Sequence, residues 1–208
     1  VTSDSSSGTF GLTGNVDIAN IGALTIASVG GLGASSNAGT TALSAASPIT
    51  FAANVSSAGN LTATAGESGA VNTDNITVNA GMTVQSTGGN VALQAGDDVI
   101  VNSGATVSAN GTLNLTAGYN DTDSDGGISL ASTAILAGSP INLTAYDDIT
   151  LGSGNQSGNT VNLNSSFGTI YMNDGGTYAF TNLSATGNTA LGGTYNSTGR
   201  QTFNGPTR

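Results

Sequence analysis

The residues best suited to chemistry in this 208-residue chain are its carboxylates, and one run of them has the spacing of a cation loop. In Asn120-Asp121-Thr122-Asp123-Ser124-Asp125-Gly126-Gly127-Ile128, three Asp alternate ahead of a Gly and an apolar residue. Alternate carboxylates converge on a hard cation, and the Gly permits a sharp turn, so this is the first two-thirds of a calcium loop. The position at which such a loop closes with a bidentate Glu holds Ser132, so a cation here needs ligands from elsewhere. The competing interpretation is a solvated insertion, rich in Asp because Asp suits turns.

Composition removes most other chemistry. The chain has 2 Lys+Arg against 12 Asp+Glu, a formal charge of −10, and neither His nor Cys. Disulfides, thiolate metal centres, imidazole catalysis and Ser-His-Asp or Cys-His nucleophiles are excluded. Arg200 and Arg208, with no Lys, cannot neutralise a row of phosphates, so nucleic acid is not a partner. The longest apolar stretch, Ile18 to Leu32, is interrupted by Asn20, Ser28 and three glycines, which argues against membrane insertion.

The elements that must position the carboxylates follow from repeats. A phrase recurs at Asn60-Leu61-Thr62-Ala63, Asn90-Val91-Ala92-Leu93, Thr112-Leu113-Asn114-Leu115, Pro140-Ile141-Asn142-Leu143 and Thr160-Val161-Asn162-Leu163. A second apolar pair follows each time, at Ile76/Val78, Val99/Val101, Ile128/Leu130, Ile149/Leu151 and Ile170/Met172. The step between the two is 8 residues for Val91 to Val99 and 15 for both Leu61 to Ile76 and Leu113 to Ile128. Irregular periods therefore reduce to a unit of about 20–22 residues with an insertion of about seven at one point. A third, weaker run at Met82/Val84, Val107 or Ile135 makes three short strands per unit.

Alternation of apolar and small polar residues sends one side of each strand inward. Strands this short form no stable sheet alone, but stacked unit on unit their Leu, Val and Ile columns close one core. The expected fold is all-β: a right-handed single-stranded parallel β-helix with loop insertions, its hand taken from the crossover rule. Residues 1–208 read as one such domain, clearest over 61–172, with 30–47 a loop or linker and the chain a piece of a longer array.

Stacking also groups the acids. Asp97/Asp98, the loop with Asp121, Asp123 and Asp125, and Asp147/Asp148 occupy the same turn of three consecutive units, as Glu67 and Asp74 do in an earlier one. Like charges about 5 Å apart repel by about 0.8 kcal/mol even in water, a penalty that bound calcium reverses. The seven Asp of those three turns are the expected metal ligands; the alternative is that they point apart into solvent, screened by salt.

Val91-Ala92-Leu93-Gln94-Ala95-Gly96-Asp97-Asp98-Val99-Ile100-Val101 and Asn142-Leu143-Thr144-Ala145-Tyr146-Asp147-Asp148-Ile149-Thr150-Leu151 resemble the repeats of filamentous-haemagglutinin-type bacterial adhesins of the two-partner and autotransporter kind. The phrase Ser197-Thr198-Gly199-Arg200-Gln201-Thr202-Phe203-Asn204-Gly205-Pro206 is similar to one that opens a further repeat block in such proteins. The resemblance implies a β-helical shaft, a secreted or cell-surface location, and adhesion to host, neighbouring-cell or matrix glycans. The Asn-Pro-Asn motifs of that family's secretion domain are absent, which suggests shaft rather than export module.

Polysaccharide lyases share the expected fold but need a basic residue, and the Asp pairs here recur as a structural motif would, so no enzyme activity is expected. Solenoid ends without polar caps predict end-to-end self-association. The alternative function is a calcium-dependent carbohydrate- or ice-binding module.

Overall fold

The computed structural model describes residues 10–28, 34–152, 156–172 and 177–208. These contain 22 strands and no helix, and every pairing among them is parallel. Up to Ile149–Leu151, strands three apart in sequence are neighbours in space, so the described residues rise in nine layers: six of three strands, two of one long strand each, and a last of two. One position forms a six-stranded sheet from Phe10–Leu12 to Ile135–Ala137. The other two join into a sixteen-stranded sheet, because Gln156–Met172 and Thr177–Leu191 each run through both without a break.

The recurring phrases lie in register. Leu61 pairs with Val91, Val91 with Leu113, Leu113 with Ile141, Ile141 with Val161, and Val161 with Leu183. The second apolar pair forms its own column, Ile49, Ile76, Val99, Ile128, Ile149 and Ile170. Strict alternation puts Val91, Leu93 and Ala95 inside and Ala92 and Gln94 half-buried on the outer face. Each fully buried Leu, Ile or Val contributes roughly 1.5–3 kcal/mol, and the two columns enclose one continuous cluster from Leu43 to Ala185.

Two expectations need correction. Of the segment 30–47, read as loop or linker, residues 30–33 lie outside the described residues, but Ala34–Asn37 and Thr41–Ala45 are strands. Thr41–Ala45 turns Thr41, Leu43 and Ala45 inward and pairs with Leu61–Ala65. Small and polar residues at inward positions hid it. In the weak third run, Leu136 rather than Ile135 faces the core, since Leu136 is the register partner of Val107. Tyr178 and Phe180 fill the interior in later layers, and a small cavity remains between Leu136, Leu151 and Phe180.

On the outer face an amide ladder adds to the backbone bonds. Asn142 Nδ2 donates to Asn114 Oδ1 at 2.8 Å, and Asn162 Nδ2 donates to Asn142 Oδ1 at 2.8 Å. Asn142→Asp keeps the shape but sets an acceptor against the Asn114 oxygen. It is expected to cost about 1–3 kcal/mol, seen as a lower thermal midpoint at pH 7.

Candidate metal centre

The two insertions belong to the third and fifth layers, 66–75 and 117–127, and the tight turn Gly96-Asp97-Asp98 of the fourth layer lies between them. They reach across that turn and touch. Thr122 Oγ1 donates to Glu67 Oε1 at 2.9 Å and the Asn72 N–H donates to Asp125 Oδ2 at 3.1 Å, contacts between residues 55 and 53 apart in sequence.

The Asp-rich run turns back on itself around Asp121, whose Oδ1 accepts the N–H groups of Asp123 (3.2 Å), Ser124 (2.8 Å) and Asp125 (3.2 Å). Gly118, Asn120, Ser124 and Gly126 take positive φ to make the turn. Short polar side chains and Gly are the residues that tolerate this conformation. Asp121 and Asp123 thereby come beside Glu67: one oxygen of each lies within 4.8 Å of the other two.

Asp97 forms the floor. It is fully buried, and its Oδ2 accepts the N–H groups of Thr73 at 2.5 Å and Asp74 at 2.8 Å. The preceding Gly96 makes room for Glu67 and Asp74: a Cβ there would stand 2.8 Å from Glu67 Cα and 3.0 Å from both Glu67 Oε2 and Asp74 Cβ. Asp74, 1% exposed, accepts the Ser68 N–H at 2.7 Å through Oδ2. Five buried carboxylate oxygens meet no donor: Glu67 Oε2, Asp74 Oδ1, Asp97 Oδ1 and both oxygens of Asp123.

Of the seven Asp expected as ligands, the structure gathers Asp121 and Asp123 beside Glu67, with the buried Asp97 carboxylate outside that triad but close enough to raise Asp123. Asp125 is turned to the Asn72 and Gly126 N–H groups. Asp98 and Asp148 each cap the next layer, Asp98 Oδ1 accepting from the Gly127 N–H at 2.8 Å and Asp148 Oδ1 from the Thr169 N–H at 2.6 Å. Asn75 plays the same part for the Asp98 N–H. Asp147 sits in the sixth layer, outside the triad, half-buried beside Asp125 and Asp148. Glu67 and Asp74 are the additions: both share the turn in sequence, but only the folded insertions show that Glu67 stands beside Asp123 and that the Asp74 N–H meets Asp97.

Desolvation first, then the charges of Glu67, Asp97 and Asp121, push the Asp123 carboxyl up to about 6. Burial likewise raises Asp97, Asp98 and Asp147, and neighbouring carboxylates add to it in each. A carboxyl whose folded pKa exceeds its unfolded value of 3.8 binds more protons when folded, so stability is greatest at low pH and falls as pH rises through the folded pKa. With chelator present, the thermal midpoint is therefore expected to fall by a few degrees between about pH 4 and about pH 7. A midpoint that rises over this range would contradict the burial of these groups.

No protein-family model matches the sequence, and neither a curated protein nor a solved structure matches it.

Proposed function

We propose that the chain is a right-handed single-stranded parallel β-helix serving as a non-enzymatic structural and adhesive shaft of a bacterial surface or filament protein, secreted or displayed outside the cell. The observation that carries this is the in-register stack from Leu61 to Leu183, where each layer repeats the inward positions of the one before. Backbone bonds between layers run along the stacking direction while an aliphatic interior excludes water, which is a mechanical design. The hand follows from the crossover preference of parallel strands. The absence of His, Cys and Lys leaves little with which to catalyse, and suits an exposed protein with few reactive positions.

Adhesion to surface or matrix glycans rests on the likeness to filamentous-haemagglutinin-type repeats. End-to-end association rests on the parallel stack itself, in which each layer passes on to the next the same ladder groups and inward positions. Nine layers at about 4.8 Å make a unit about 43 Å tall. Light scattering and electron microscopy are expected to show rods that lengthen with concentration in steps of about that height. Strictly monomeric particles at high concentration, together with blank glycan arrays, would count against the shaft.

A further inference from the structure

We infer that the two insertions close over the fourth layer to form a divalent-cation site, in which carboxylate oxygens of Glu67, Asp97, Asp121 and Asp123 surround one calcium ion and Asp74 borders it. Spacing is the first support. Oxygens coordinating calcium lie 2.3–2.6 Å from it, so any two are at most about 5 Å apart. The Glu67, Asp121 and Asp123 oxygens meet that limit without rearrangement.

A second support is independent of the cluster's spacing. Asp97 and Asp74 are completely or almost completely buried, and each keeps one oxygen, Oδ1, that no donor reaches. Asp97 Oδ2 is already satisfied by two N–H groups, so Oδ1 is the oxygen left for a ligand, on a carboxylate near enough to those of Glu67 and Asp123 to repel them. Buried carboxylate is tolerated only when paired or coordinated.

No side chain of this protein supplies the opposite charge. Lys and His are absent, and Arg200 and Arg208 belong to the ninth layer, roughly 19 Å above the insertion of the fifth. The counter-charge must come from solvent. A proton serves one oxygen, whereas five oxygens on four residues lack donors; a cation with six to eight oxygen ligands satisfies several at once.

An all-oxygen set without His or Cys selects a hard ion. Ligands carried on two irregular insertions suit calcium, whose coordination geometry varies, better than magnesium, which demands near-octahedral geometry and holds its waters. The ion would staple segments 55 residues apart in sequence, whatever the biological role of the chain.

The test uses the whole chain, stripped with chelator and titrated with calcium chloride by calorimetry and thermal unfolding. One equivalent is expected to bind with Kd on the order of 10⁻⁴ M or tighter, with a saturable rise in thermal midpoint. Glu67→Gln and Asp123→Asn are each expected to weaken binding by at least roughly tenfold. Both remove a like charge, so in chelator they should melt no lower than the parent, which keeps the loss of binding interpretable. Asp98→Asn, which keeps the cap oxygen, and exposed Asp17→Asn should bind as the parent does. The inference is overturned if millimolar calcium gives neither heat nor a midpoint shift, if the double variant Glu67→Gln/Asp123→Asn binds undiminished, or if sodium at matched ionic strength reproduces the shift.

Discussion

Leu130→Asp is expected to unfold the stack from its middle, while Ser129→Asp, one residue away, leaves it intact. Leu130 is 2% exposed and lies between Val101 and Leu151 in the second apolar column; Ser129 in the same strand points to solvent. Truncation to Ala removes buried methyl groups and leaves a cavity, at about 3 kcal/mol. Asp adds a charge with no partner in an aliphatic interior, raising the cost beyond about 5 kcal/mol. In a stacked array each layer is stabilised chiefly by its two neighbours, so the loss falls on layers four to six together. Hydrogen exchange should show amides of 99–101, 128–130 and 149–151 losing protection as a group. Equal effects of the two substitutions would mean that the strand does not separate an inner from an outer face.

Gly126→Ala is the second large effect. Gly126 has φ +131°, and a Cβ there would overlap the backbone N and Cα of Gly118, itself at φ +70°. Neither atom belongs to a flexible side chain that could swing away, so the base of the insertion must open. Left-handed strain and overpacking together are expected to cost about 3 kcal/mol. The same substitution at Gly22, where nothing lies within 4 Å of the added Cβ, should stay within about 0.5 kcal/mol. Because Gly126 follows Asp125 and closes the turn built on Asp121, Gly126→Ala should also loosen the contact between Thr122 and Glu67. Chemical denaturation of the two variants beside the parent checks the difference.

The carboxylates show where sequence reasoning reached and where it stopped. The loop 120–128 lacks its closing Glu, and the need for a ligand from elsewhere is visible in Ser132. That Glu67 stands there is not visible, because it depends on two insertions from non-adjacent layers bending over the layer between. Asp98 and Asp148 share the Asp-Asp pattern of the turns, but they are spent on backbone N–H groups of the layer above. A side chain's alternatives are set by the donors that the next layer happens to present, and the repeat alone does not specify them.

By itself, then, the amino-acid order determined the layer: a period of two along each strand and a period of about twenty, apart from the insertions, between equivalent strands leave one way to bury the aliphatic columns. Val91, Leu113 and Ile141 stack as that pattern requires. The tertiary structure alone decided which small polar segments, such as Thr41–Ala45, join the stack, and which carboxylates meet. Burial is encoded residue by residue through hydrophobicity, whereas the meeting of charges depends on the path of loops whose residues carry no such code.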